Sequence, residues 1–251
     1  MGQKKKTTEV TMTFFNVYED TTRAEAYAEM EFPGTYYLAY RDLPEIIATH
    51  IQGPEALDFG CGAGRSTRFL KNLGFDTIGV DISADMIKIA RSKDANGDYR
   101  LIDDGDLDSL NDNSLDLVQA IFTFDNVPTT EKKEKILMAM KRVVKPEGFL
   151  LILVSDPLIY THEWASFSTK DFPENKLAKS GDRVKIIQTD IADKRPVEDV
   201  IWSHEAYLKI FEHTGFQWVK TYKPLGKADE PFQWVNETKI APWVIYILKK
   251  K

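Results

Sequence analysis

Ala56-Leu57-Asp58-Phe59-Gly60-Cys61-Gly62-Ala63-Gly64-Arg65-Ser66 is the stretch that fixes the character of this chain. A short apolar run, Glu55–Phe59, passes straight into Gly60-x-Gly62-x-Gly64, and a helical pattern over Ser66–Leu73 follows and stops at Gly74. Glycines at a strand-to-helix turn let the backbone bend tightly. They also let a ligand approach the helix N-terminus, where free N–H groups and the helix dipole favour an anion. This pattern alone suits a dinucleotide as well as other ligands. A pyrophosphate binder, however, wants G-x-G-x-x-G, and Arg65 occupies the last of those positions.

Working outward, strand and helix signals alternate. Asp76–Val80 reads as a strand and Ala84–Ser92 as a helix with Ser83 at its N-cap. Strands follow at Tyr99–Ile102 and Leu115–Phe122, then a helix at Glu131–Val144 and a strand at Phe149–Ser155. Alternation of this kind predicts a parallel sheet with helices on both faces, and right-handed crossovers make it doubly wound. After Ser155 the alternation stops. Short strands are expected at Arg183–Gln188 and Asp199–Trp202, a helix at Glu205–Thr214 closed by Gly215, and strands at Phe216–Tyr222 and Trp243–Leu248. Before the core, helices are expected at Thr21–Glu31 and Tyr36–His50, broken at Pro33-Gly34. All five tryptophans fall at position 164 or later, so the middle is lean and its C-terminal flank aromatic.

Composition narrows the chemistry. The chain has 251 residues, enough for a sizeable core without staples. Its single cysteine, Cys61, excludes a disulfide framework and a multi-thiolate zinc site. His50, His204 and His213 show no metal-like spacing, and no metal is expected. Net charge is −6, and the body is more acidic still once the lysines at 4–6 and 249–251 are set aside. Such a surface does not suit neutralising many phosphates, so nucleic acid is not the expected partner. No apolar run is long enough to span a membrane, and MGQKKKTTEV lacks the apolar stretch of a secretory leader. A cytoplasmic protein is the expectation.

Three acidic positions give the glycine loop its meaning. Asp81 ends the second strand about 20 residues past the glycines, where a carboxylate can accept two ribose hydroxyls. Asp103, Asp104 and Asp106 follow the third strand, where a carboxylate can meet an adenine amino group. Asp58, Asp81 and Asp104 thus end three consecutive strands, which describes a ligand with an amine, a ribose and an adenine but no phosphates.

On these residues the chain resembles the class I S-adenosylmethionine-dependent methyltransferases of the small-molecule type. "LDFGCGAGRS" resembles their first motif, "GVDIS…MIKIA" the second, and "DGDLDSLNDNSLDLV" the adenine loop with the fourth strand. "RVVKPEGFLLIL" resembles the turn before the fifth strand, with Glu147 where the family commonly has glycine. "YLKIFEHTGFQWV" resembles the late helix-Gly-Phe-strand unit. The resemblance implies a Rossmann-like α/β fold with a seven-stranded, mostly parallel sheet and an antiparallel edge. It also implies a division into a tail and helical lid (1–50), a cofactor-binding core (51–155), a substrate-pocket insertion (156–202) and a C-terminal part completing the same domain (203–251).

The same resemblance implies roles. Gly60 and Gly62 bring backbone close to the methionine part of S-adenosylmethionine, and Asp58 reaches its amine through water. Asp81 holds the ribose, while Ile82 and Met86 cover the adenine. Ungapped counting from Asn113-Ser114-Leu115-Asp116 puts Asp104 at the adenine amine and Gly105 at a backbone contact; a one-residue gap moves that role to Asp103 or Asp106. Phe122 lies near the methyl group. Tyr37 and Arg41 precede the first strand, and Arg41 and Arg65 compete as partners of the methionine carboxylate. Tyr18 and Tyr27 are candidates to close the site.

Methyl transfer from a sulfonium needs orientation more than a nucleophile, and no nucleophile motif is evident. Cys61 is inside the glycine loop, and the Asn/Asp-Pro-Pro-Tyr signature of base amino-methylation is absent. After the fourth strand, Asp125 and Asn126 are placed either to touch substrate or cofactor or to form a turn. In the insertion, Tyr160, Trp164 and Phe167 suggest a planar or apolar small acceptor, and His162 is the candidate base. The expected product is S-adenosylhomocysteine. Competing readings are a binding protein of this fold without turnover and an NAD-dependent oxidoreductase.

Overall fold

The structure is a computed structural model and describes residues 33–251. The helix expected over Thr21–Glu31, with Tyr18 and Tyr27, lies outside the described residues.

Two helices come first, α1 (Thr35–Arg41) and α2 (Leu43–His50), followed by β1 (Glu55–Phe59), α3 (Arg65–Asn72) and β2 (Asp76–Asp81). Next are α4 (Ala84–Lys93), β3 (Asp98–Leu101), β4 (Leu115–Ile121), α5 (Thr130–Val143) and β5 (Val144–Ser155). The insertion holds β6 (Phe167–Ser168), β7 (Arg183–Gln188) and β8 (Val197–Val200), and the chain closes with α6 (His204–His213), β9 (Phe216–Tyr222) and β10 (Trp243–Lys250). Local chemistry sets many of these bounds. The hydroxyls of Ser83, Thr129 and Ser203 cap α4, α5 and α6 by accepting a backbone N–H from the first turn.

Seven strands form one sheet in the order β3-β2-β1-β4-β5-β10-β9. The pairs β1–β2, β2–β3, β1–β4 and β4–β5 are parallel, and β10 runs antiparallel to both β5 and β9. The fold is therefore the expected Rossmann-like one. The reversed strand is not the edge itself but lies one place in from it, with β9 outermost. β4 is buried at every residue, as a central strand covered on both faces must be.

β5 begins at Val144 instead of Phe149, because Val144 already pairs with Leu115 before an irregularity opposite Leu117. Tyr36–His50 is two helices, which meet at Asp42 with Pro44 in the first turn of the second.

The core has two main parts. Residues of α1 and α2 join Leu117, Leu151, Trp243 and the insertion residues Tyr160, Trp164, Phe167 and Ile186 in one cluster. Residues of α5 and α6 join Leu57, Val118, Ile152 and Tyr246 in the other. Neighbours in β4 and β5 alternate between the two clusters, so the sheet separates them. The insertion, with its own small antiparallel sheet β6-β7-β8, is thereby anchored on the face that carries α1. That places aromatic side chains from three distant segments beside the end of β4.

Candidate active site

The glycine loop is a run of left-handed residues: Gly60, Gly62 and Gly64 have φ of 72°, 51° and 78°. Gly60 also faces a close neighbour, since a Cβ there would stand 2.3 Å from Thr123 Oγ1. Gly62 is the open one, with only Met86 Sδ at 4.0 Å from such a Cβ. The loop is tied to β2 at both ends of that turn. Gly60 and Cys61 donate their N–H groups to the Val80 carbonyl, and Gly62 donates to Asp81 Oδ2 at 2.8 Å. Asp81 Oδ1 accepts the Ser83 N–H at 2.9 Å. Burial pushes the Asp81 carboxyl upward, and those N–H groups act against the rise.

A cleft of about 920 Å³, counting its open mouth, lies against this loop. Gly60, Gly62, Asp81 and Ser83 form one side. Apolar Ile82, Met86, Ile102 and Ile136 line the cleft too, together with Asp104, Gly105, Phe122, Thr123 and Asn126. Asp104 has φ of 36° and an ion pair with Lys132 at 2.5 Å, which holds its carboxyl below the ordinary range. Of the three acids that follow β3, Asp104 is the one in the cleft wall.

Residues 57–152 match the family model for a methyltransferase domain. Over 201 residues the chain is 26% identical to N-demethylindolmycin N-methyltransferase of Streptomyces griseus, which covers 79% of this chain and 84% of that one. Over 103 residues it is 37% identical to demethylmenaquinone methyltransferase of Tropheryma whipplei, 40% of this chain and 41% of that one. The fold of an S-adenosylmethionine-dependent methyltransferase from Clostridium acetobutylicum matches with a TM-score of 0.60 at 14% identity, covering 93% of this chain and 96% of that one. The chain is a class I S-adenosylmethionine-dependent methyltransferase. Its cofactor is S-adenosylmethionine, and the family match does not favour the NAD-dependent alternative.

The methyltransferase's cleft fits that cofactor. Backbone N–H groups of Gly62, Ser83 and Ile82 hold the Asp81 carboxylate, which still has acceptor capacity for a ligand hydroxyl. The apolar lining suits a flat base, Asp104 offers an acceptor in the same cleft, and the bare Gly62 leaves room for a ligand against the loop.

Several residues singled out in the sequence stand elsewhere. Asp58 is fully buried and outside the cleft wall; its oxygens accept from Ser66 Oγ, Thr67 Oγ1 and Gln119 Nε2 at 2.6, 2.7 and 3.0 Å. It is a strut that binds the first turn of α3 to β1 and β4, and its burial pushes its carboxyl up. Arg41 does not face the cleft. Its guanidinium is held by Asp42, by Glu230 at 2.7 Å and by the Leu225 carbonyl. Tyr37 stacks near Phe232, ring centres 4.9 Å apart. Arg65 lies over the rings of Tyr36 and Tyr40, 5.5 Å from each centre, and is outside the cleft wall. His162, the candidate base, contacts Thr161 Oγ1 and the Leu158 carbonyl through Nδ1 and lines neither cavity of the site.

Sequence reasoning missed Ser83, read only as a cap, and Ile102, Lys132 and Ile136 altogether. Lys132 and Ile136 are four apart on α5 and so share a face. That signal was present, but nothing local said which face met the cleft.

A second cavity, about 410 Å³ counting its open mouth, shares Phe122 and Asn126 with the cleft wall. Its aromatic wall is Tyr36, Phe122, Tyr160, Phe167 and Trp243, and its polar groups include Asp125, Ser155, Gln188 and Asp199. Phe122 sits at φ of 60°, a strained conformation for a bulky residue. Its ring meets Trp243 edge-on, with centres 4.7 Å apart.

Proposed function

We propose that this methyltransferase modifies a small, largely aromatic acceptor bound in the second cavity, with the cofactor in the neighbouring cleft. The observation that carries the reading is that Phe122 and Asn126 stand in both walls, so the two cavities meet there. Bound S-adenosylmethionine supplies a methyl group on a sulfonium, which leaves without needing a proton. The chain then contributes orientation and exclusion of water. In this reading Asp81 receives the ribose hydroxyls, Ile82 and Met86 with Ile102 and Ile136 cover the adenine, and Asp104 accepts from its amino group. Gly60, Gly62 and the Gly105 backbone allow close approach, and Phe122 borders the reacting centre.

Two further points support a small acceptor. The names of the relatives from Streptomyces griseus and Tropheryma whipplei refer to small molecules. The second cavity is modest in size and the chain is acidic, a poor match for a nucleic acid. Among the described residues no helix is long and apolar enough to cross a membrane.

Calorimetric titration with S-adenosylmethionine, S-adenosylhomocysteine and NAD tests the cleft. Both adenosyl ligands bind and NAD does not; NAD binding in their place would sink the assignment. For the cavity, Val197→Phe sets a ring in the acceptor space. It blocks methyl transfer and leaves S-adenosylhomocysteine binding unchanged. Turnover undiminished in that variant would move the acceptor elsewhere.

A further inference from the structure

The second cavity holds more than a flat apolar body needs. Asp125 and Asp199 are both buried and both stand in its wall. Asp125 is on the 3-10 turn Phe124–Asn126, where it accepts from the Ser155 N–H and hydroxyl, each at 3.0 Å. Asp199 accepts from the Tyr160 hydroxyl at 3.0 Å, and that hydroxyl also interacts with Ser155. The two carboxylates are therefore parts of one polar patch in an aromatic enclosure. Burying carboxylates beside aromatic rings is costly unless a donor or a cation meets them.

Asn126 points the same way independently. Its Nδ2 donates to the Phe122 carbonyl, and its buried Oδ1 has no hydrogen-bond partner among the described residues. This acceptor belongs to the stretch of wall where the cavities meet, next in sequence to Asp125. Lys133 is the nearby cation, but it lies outside the cavity wall and donates to the Phe124 carbonyl. A ligand that suits these acceptors brings N–H groups and positive charge, and the surrounding ring faces favour a cation further.

Resting on the reading of this cavity as the acceptor site, we propose that the methylated group is an amine nitrogen, directed by Asn126 and Asp199 and deprotonated by Asp125. An ammonium has no lone pair. Passing one N–H proton to the Asp125 carboxylate frees that pair. The nitrogen then forms its bond to the methyl carbon as the carbon–sulfur bond breaks and its electrons remain on sulfur. The products are a methylated ammonium, the thioether S-adenosylhomocysteine and a protonated Asp125 that returns its proton to solvent. Burial raises the Asp125 carboxyl to about 6, so it is ionised and ready to accept at neutral pH. The titratable groups that face it are Lys133, Tyr160, Tyr207, Tyr246 and Asp199.

The test is calorimetry on the enzyme saturated with S-adenosylhomocysteine, using 2-phenylethylamine, 2-phenylethanol and phenylacetate as probes of one shape. The amine binds about tenfold or more tightly than the alcohol, and phenylacetate does not bind. Amine binding weakens as pH falls through about 6. In Asp125→Asn the preference for the amine disappears and S-adenosylhomocysteine binding stays, which also shows that the variant is folded. Should Asp125→Asn not fold, the wild-type preference among the three probes decides alone. Equal or tighter binding of the alcohol or of phenylacetate overturns the proposal. So does an unchanged preference in Asp125→Asn, or silence from all three probes on the saturated enzyme. Failure of S-adenosylhomocysteine itself to bind would instead overturn the function proposed above.

Discussion

Gly62 donates its backbone N–H to Asp81 Oδ2 at 2.8 Å, so one carboxylate both shapes the glycine loop and faces the cleft. Asp81→Asn is therefore expected to be nearly as damaging as Asp81→Ala. The backbone N–H groups of Gly62 and Ser83 occupy one oxygen each, so the new amide nitrogen sets donor against donor. S-adenosylhomocysteine affinity falls by about a hundredfold, the loss of two hydrogen bonds to a charged acceptor. Calorimetry on both variants checks this; near-normal affinity in Asp81→Asn would show that the ligand does not lean on this carboxylate.

Gly60 and Gly74 separate the two ways a glycine can be required. Both have positive φ, but a Cβ at Gly60 meets Thr123 at 2.3 Å, whereas nothing lies within 4 Å at Gly74. Gly74→Ala costs about 1–2 kcal/mol for the left-handed conformation alone. Gly60→Ala adds the clash and must push Thr123 off the Phe59 carbonyl it bonds. Denaturant midpoints measured side by side should fall distinctly further for Gly60→Ala, with cofactor binding lost only there.

Lys133 gives stability a dependence on pH. Burial among Phe124, Trp202 and Tyr207 lowers its amine to about 7, against an ordinary value of 10.5. Between those values the unfolded chain holds the proton and the folded one does not, so stability rises as pH increases from about 7 to about 10. Asp125 works in the other direction at lower pH. Its raised carboxyl keeps a proton in the folded state between 3.8 and about 6, so its contribution to stability falls as pH rises through that window. Lys133→Met should flatten the rise between neutral and alkaline pH in urea unfolding. The Phe124 carbonyl keeps the Val127 N–H as a donor, so the substitution does not strand it. A rise as steep as in the unaltered protein would assign it to other groups.

Arg41 fastens α1 to the segment before β10. Arg41→Met should lower stability by about 1–3 kcal/mol, through lost charged hydrogen bonds to Asp42, Glu230 and Leu225. S-adenosylhomocysteine affinity should not change, because Arg41 is not in the cleft wall. A large drop in affinity with stability intact would restore Arg41 to the cofactor.

The amino-acid sequence by itself determined the order of the elements and much of the cofactor cleft. β1, β7 and β9 have the residue bounds expected from sequence, and the capping role of Ser83 is visible in it, because strand patterning and caps are properties of neighbouring residues. Gly60, Gly62, Asp81, Ile82, Met86, Asp104 and Gly105 were equally legible. They lie at or just after the C-terminal ends of β1, β2 and β3, and the parallel sheet brings those ends to one side.

Only the tertiary structure decided the rest. Nothing near Arg41 in sequence announces Glu230, which meets it from 189 positions away. Asp58 looks like the other strand-end acids until Gln119 of β4 and the first turn of α3 close over it. The second cavity joins Tyr36, Asp125, Tyr160, Asp199 and Trp243 from five separate stretches. A side chain's local pattern says only that it will be buried. Its partners depend on which faces the sheet order and the insertion press together, and those contacts form between residues far apart in the chain.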